Sequence, residues 1–277
     1  MMPFGEFEVS TVNHGFFWLD GGAMFGPVPK TIWSRLIPAD DENRIRLATR
    51  SLVVKAGGRV FIADLGNGRK LPEKLLRIYG IENFEPEDIG FDLGAVTDVL
   101  LSHLHFDHCG GISRFKPESL EVELSFPKAR VFLQAAQLET IRNPNPHERA
   151  SFLPENIQIL EQAALHLVGG SEEIYPGLWV HRSDGHTRGL MWVEVRNGSE
   201  SIAFPSDLIP TSHHLPLPFT MGYDICVETL VQEKEDLLNR AVAGDWIIVF
   251  AHDPDIPAAR VKIDERGRYA VREVVAL

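Results

Sequence analysis

Only two cysteines, Cys109 and Cys226, occur in the 277 residues. Two can close at most one bridge, so a disulfide framework is excluded, and so is a zinc site built on paired cysteines. Any metal must therefore be held by nitrogen and oxygen. Positive charge is also scarce: 27 lysines and arginines against 39 aspartates and glutamates leave a net charge of −12. A field of that sign repels phosphate backbones, so no nucleic-acid partner is expected, and it favours solubility. No window approaches the roughly 18 apolar residues that a membrane span needs, so no membrane partner is expected. Residues Met1–Ser10 (MMPFGEFEVS) lack a basic stretch followed by an apolar one, which makes the cytoplasm the expected compartment. Repeats, low-complexity tracts and long linkers are missing as well.

The composition, 44% hydrophobic and 24% charged, is that of an ordinary globular chain. A single domain over residues 1–277 is expected, since roughly 75% of the unfolded surface can be buried near 300 residues. Ser51–Lys55 and Arg59–Asp64, joined by Ala56-Gly57-Gly58, form a hairpin pattern. Leu71–Tyr79 has helical apolar spacing and stops at Gly80, while Val96–Leu101 has the pattern of a strand. Ala135–Arg142 is helical in pattern, and Val227–Val242 is the clearest amphipathic helix. Leu178–Arg182, Met191–Arg196, Ser201–Pro205, Trp246–Ala251 and the region Val261–Ala276 carry strand patterns. The stretch from about Pro144 to Gly170 has prolines at 144, 146 and 154, shows no clean period, and reads as an insertion. Strands and helices recur in both halves, which suits sheets packed between helices.

The chemistry is concentrated in Ser102–Gly111, SHLHFDHCGG. His103 and His105 are two residues apart after a buried strand, so in extended chain they share one side and can aim at one metal. The following turn can swing Asp107 and His108 toward a second ion, with Gly110-Gly111 permitting tight backbone. Neutral imidazoles and carboxylates suit zinc, iron, manganese or cobalt. Three more donors lie just past predicted strands: His186 in DGHTRG, Asp207 in SDL, and His252 in AHD. Taken singly, each reads as an ordinary polar strand end. In series after the first motif they read as ligands.

This order, HxHxDH then His, Asp and His, resembles the metallo-β-lactamase superfamily over nearly the whole chain. Asp64 in FIADLGNG is similar to the family's early aspartate, which supports the first metal loop from behind. The resemblance implies an α+β fold, an αββα sandwich of two mixed sheets packed between helices. It implies two divalent ions, zinc first, one on His103, His105 and His186 and the other on Asp107, His108 and His252, with Asp207 bridging. The stretches DGGAMFGPVPKTIW (residues 20–33) and DLIPTSHH (207–214) resemble the branch of N-acyl-homoserine lactonases, which has phosphotriesterase relatives. The interval from His186 to Asp207 (207 − 186 = 21) fits that branch, whereas the interval from His108 to His186 (186 − 108 = 78) is longer than in compact lactonases.

What the resemblance implies is a hydrolase of small lactones or esters, with water activated between two ions. Asp107 would shuttle a proton, Asp207 would hold the pair of ions, and Tyr223 would donate to the carbonyl. Met24, Phe25 and Trp33 would wall a pocket for an acyl chain, with core packing as the equal alternative. His213 and His214 are expected to face solvent on a loop, and Cys109 to be a buried free thiol. The competing readings are a phosphotriester or other ester hydrolase and a mononuclear-iron persulfide dioxygenase; a homodimer is an expected assembly. Flavodiiron proteins have a glutamate where His105 stands and an added flavin domain, and RNA-processing members need basic surface; neither pattern is present.

Overall fold

The computed structural model describes residues 1–85 and 90–277. The chain divides into two compact units: Met1–Phe16 with Thr49–Gly169, and Phe17–Ala48 with Gly170–Leu277. Each unit has its own sheet and its own apolar core.

The first unit is organised by the hairpin Arg44–Ala56 and Arg59–Ala63, which pair antiparallel around Gly57-Gly58 as the sequence predicts. Three further strands, Asp98–Leu100, Arg130–Gln134 and Ala164–Val168, then add in parallel register. Parallel strands are covered on both faces and therefore read as continuous apolar runs, such as Phe61-Ile62-Ala63 and Val131-Phe132-Leu133. The core formed on them joins Val53, Ile62, Val99, Leu101, Val131 and Leu133. One polar residue interrupts the run. Asp98 is buried at 1% exposure, and its carboxylate accepts two bonds from Arg59 and one from Arg130, so the charge is paired rather than stranded.

Residues 144–170 are more regular than their prolines suggest. Arg149–Ser151 is a 3₁₀ turn, Pro154–Gln158 a short helix begun by its proline, and Ala164–Val168 a strand continuing the parallel ladder. The strand escapes sequence reading because it alternates poorly: Val168 alone in it is fully buried.

The second unit holds a seven-stranded sheet from Glu172–Tyr175 to Tyr269–Val274, antiparallel except where Glu200–Phe204 meets Ile247–Val249 in parallel. The predicted helix spans Val227–Ala243, and its Leu230, Leu237, Leu238 and Ala241 are buried against Trp192, Ile248 and Phe250. Each fully buried leucine contributes about 1.5–3 kcal/mol relative to exposure. No helix among the described residues is long and apolar enough to cross a membrane.

Candidate metal centre

In the first unit the strand Asp98–Leu100 ends at the loop carrying His103 and His105, and the short helix Phe106–Cys109 presents Asp107 and His108. The three histidines are buried, with ring centroids of His103 and His105 4.4 Å apart and those of His103 and His108 4.1 Å apart. Donor atoms of His103 and His105 lie within 4.8 Å of each other, as do those of Asp107 and His108. Packing imidazoles this closely is unfavourable if they are protonated and suits a cation shared between neutral rings.

Asp64 organises the group. One oxygen accepts from the Ser102 backbone N–H at 2.8 Å; the other accepts from the Ser102 hydroxyl at 2.8 Å and from His108 Nδ1 at 2.9 Å. Because the Ser102 hydroxyl gives its proton to Asp64, it must accept from His103 Nδ1, 2.9 Å away. A single carboxylate thus sets both tautomers, His108 directly and His103 through Ser102, and leaves each Nε2 lone pair for a ligand. Asp64 stands at φ 63°, a conformation that favours glycine, so the surrounding bonds hold it in a strained backbone. Below it, Gly68 and Gly110 face each other so closely that a Cβ on either would collide with the other segment's backbone. Buried Lys70 donates to the carbonyls of Gly110 and Ser113 at 2.5 and 2.7 Å, tying that loop down. Cys109 is the buried free thiol expected, pushed up to about 12 chiefly by burial.

In the second unit the donors come from three separate segments. Asp207 lies in the 3₁₀ turn Ser206–Leu208, entered through Ser206 at φ 50°. Its two oxygens face different imidazoles: Oδ2 is 3.2 Å from His186 Nε2, and Oδ1 is 3.0 Å from His252 Nε2. Two donors on one tetrahedral ion at 2.0–2.1 Å are about 3.3 Å apart, so these spacings are those of co-ligands. His186 Nδ1 donates to Asp224 at 2.9 Å, and His252 Nδ1 to the Ala48 carbonyl at 2.8 Å. Both therefore also carry the proton on Nδ1. Neutral nitrogen and carboxylate oxygen, with no sulfur, form a donor set that fits a borderline divalent ion such as zinc.

Several of these residues carry no motif. Asp224 and Lys70 are far in sequence from the groups they serve, and only the presence of a buried charge next to polar backbone could have singled them out. Tyr79 was also missed; it stacks on Phe106 at 5.0 Å, and burial followed by the Asp107 carboxylate raises its hydroxyl above the ordinary value. Tyr223 is half-buried and adjoins Asp224.

One expectation is overturned. His214 does not face solvent: it is 1% exposed, its Nε2 donates to the Met24 carbonyl at 2.9 Å, and its ring stacks on Phe25 at 4.9 Å. Thr211 donates to its Nδ1, and burial lowers its pKa to about 3, so the ring is a neutral staple between two loops. The polar context of HH suggested a surface loop; the acceptor at Met24 lies 190 positions away in sequence. His213 is half-buried. Met24, Phe25 and Trp33 are all buried, with Phe25 and Trp33 stacked 5.7 Å apart, so packing is their visible role.

A sheet-and-helix fold carrying a histidine and carboxylate cluster of this kind defines a metal-dependent hydrolase. Residues 44–252 match the model of the Metallo-beta-lactamase superfamily, a range that opens before Asp64 and closes on His252. The chain belongs to that superfamily and has its α+β fold. It is 24% identical over 205 residues to an N-acyl homoserine lactonase of a Bacillus species, covering 70% of each chain. It superposes with a TM-score of 0.85 on a probable metal-dependent hydrolase from Staphylococcus aureus, 25% identical, over 99% of this chain and 100% of that one. AidC, a dizinc quorum-quenching lactonase, gives a TM-score of 0.79 at 21% identity over 100% and 97%.

Proposed function

We propose that this hydrolase opens lactone rings of the N-acyl-homoserine lactone type, using two zinc ions. One would be held by His103, His105 and His186, the other by Asp107, His108 and His252, with Asp207 shared. The observation that carries the reading is Asp207, whose two oxygens each meet a different histidine at co-ligand distance. The lactonase relative in Bacillus and the likeness to a dizinc lactonase support the substrate class.

Two divalent ions, when bound, supply Lewis acidity and a nucleophilic water at neutral pH. The chain's own part is orientation and proton handling. Asp64, Ser102, Asp224 and the Ala48 carbonyl keep four imidazoles in the tautomer that presents Nε2. Asp107 takes the proton released as water adds to the lactone carbonyl and passes it to the departing ring oxygen, giving the open hydroxy acid. The Tyr223 hydroxyl donates to the carbonyl oxygen as charge develops there. Met24, Phe25 and Trp33 contribute through the shape of the loop they anchor, which sets the room for an acyl chain. The partners are a small-molecule substrate and, in solution, a second copy of the chain.

The test is a homologous series of N-acyl-homoserine lactones assayed beside paraoxon, with elemental analysis of metal-replete protein. Two ions per chain and ring opening are expected. Rapid paraoxon turnover without lactone opening makes the enzyme a phosphotriesterase; a single iron with oxygen consumption makes it a dioxygenase.

A further inference from the structure

The donors of the second unit are dispersed, so each turn that carries one is held by chain from elsewhere. His186 stands in the turn 184–189, and the helix Val227–Ala243 meets that turn with an acidic side chain, Glu233. Its Oε2 accepts from the Ser183 hydroxyl at 2.5 Å and from the Gly185 N–H at 3.3 Å, while Oε1 accepts from the Asp184 N–H at 2.9 Å. Asp184 closes the other side of the turn, accepting from the Gly189 N–H at 2.8 Å.

The approach of helix to turn is close. A Cβ on Gly185 would run into the Leu230 backbone, so this position takes glycine. The Cys226 N–H donates to the Gly185 carbonyl at 2.8 Å, and the Ile225 N–H to the His186 carbonyl at 3.1 Å. Asp224 takes the imidazole itself, at Nδ1. Residues 224–233 thus hold the ring at one end and the backbone of its turn at the other. Burial of Leu230, Leu237, Leu238 and Ala241 already docks the helix, so the three bonds to Glu233 are additional to packing. Both carboxylate oxygens are in use, and an ionised acceptor binds N–H and O–H donors more strongly than a neutral one. A glutamine would keep only one acceptor oxygen and turn its NH₂ toward a donor.

We propose that Glu233 is a positioning residue for His186: it fixes the turn that delivers Nε2 to the metal, while Asp224 fixes the ring. The inference rests on the reading of His186 as a metal ligand and on no particular substrate. It gives the polar side of the helix Val227–Ala243 a task beyond packing.

The experiment uses full-length protein with ¹⁵N-labelled histidine, loaded with zinc. In Glu233→Ala, competition with a chromophoric chelator should show one of the two ions bound about 10- to 100-fold more weakly and the other bound nearly as before. The ring signals of His186, assigned by their loss in His186→Ala, should lose their zinc-bound shift at chelator concentrations where those of His252 keep theirs. Glu233→Gln should fall between alanine and wild type, and Ser183→Ala, which removes one of the three donors, should cost least. Both also serve if the alanine variant fails to fold. Asp236→Ala, exposed on the same helix, should leave both ions in place. Folded Glu233 variants with unchanged zinc affinity overturn the inference. So does an equal loss in Asp236→Ala, or a fall in both affinities together with the urea midpoint, since the contact then serves folding alone. Wild-type protein that binds no zinc overturns the metal reading, and this inference with it.

Discussion

The two units solve the same problem by opposite means. In the first, four candidate donors fall within six consecutive positions, 103–108, and one carboxylate, Asp64, orients two of them. In the second, three donors are spread over 66 positions (252 − 186), and each histidine has its own support, Asp224 for one and the Ala48 carbonyl for the other. A contiguous set is positioned largely by local geometry. A dispersed set depends on distant chain being brought together, so its precision is inherited from the sheet. Both units place a non-glycine residue in left-handed backbone beside the donors, Asp64 and Ser206, and both anchor a neighbouring loop with a buried lysine.

The sharpest way to break the comparison is to remove the residue with two partners. Asp207→Ala is expected to abolish turnover and to lower the content of both ions, measured by elemental analysis. Loss of a donor used once, as in His252→Ala, should remove one ion first. If Asp207→Ala retains near wild-type turnover, the bridging role is wrong.

Next come the supports. Asp64→Asn removes a carboxylate that accepts three bonds, whereas Asp224→Asn disturbs two, from His186 and from the Met221 N–H. Each should weaken metal binding by about 10- to 100-fold, with the Asp64 variant the weaker binder and the less stable. Equal effects in chelator titration would mean that local and dispersed donor sets depend equally on their backing.

Smaller effects are expected at the loop anchors. Lys234 is fully buried and donates to the carbonyls of His214, Pro216 and Phe219 at 3.1, 3.2 and 2.8 Å, against two carbonyls for Lys70. A buried acceptor left without a donor costs about 1–3 kcal/mol, so Lys234→Met should lower the urea midpoint more than Lys70→Met. Burial lowers both ammonium groups to about 8. Between pH 8 and the unfolded value near 10.5 the unfolded chain binds more protons, so these two groups make stability rise with pH across that window. The lysine-to-methionine variants should lose that rise.

The smallest effect is at acid pH, where each unit holds, outside the candidate ligands, a histidine whose pKa burial lowers strongly. His14 is lowered to about 4 and His214 to about 3, both mainly by burial. Their folded pKa values lie below the unfolded 6.5, so the unfolded chain takes up protons first and stability falls as pH drops from 6.5 toward those values. Each group contributes a slope of at most about 1.4 kcal/mol per pH unit. Urea midpoints of metal-free protein between pH 6.5 and 4.5 should fall less steeply in His14→Gln than in wild type.

Much of this was legible from residues alone. The hairpin around Gly57-Gly58, the helices Ala135–Arg142 and Val227–Ala243, and the strands leading to each donor follow from periodicity and turn residues, which are local properties. The first donor set is legible for the same reason, since six adjacent residues carry their own geometry. Distance defeats such reading. His214 looks like a surface histidine until the Met24 carbonyl is brought to it, and Asp224 looks like a loop aspartate until His186 arrives. Residues 144–170 show no clean period in sequence, yet Ala164–Val168 within them joins the parallel ladder. Sequence by itself determined which atoms are available to hold metal and where the chain turns. Tertiary structure alone decided which nitrogen of His108, His186 and His252 carries its proton, because the acceptors, Asp64, Asp224 and the Ala48 carbonyl, come from chain far away.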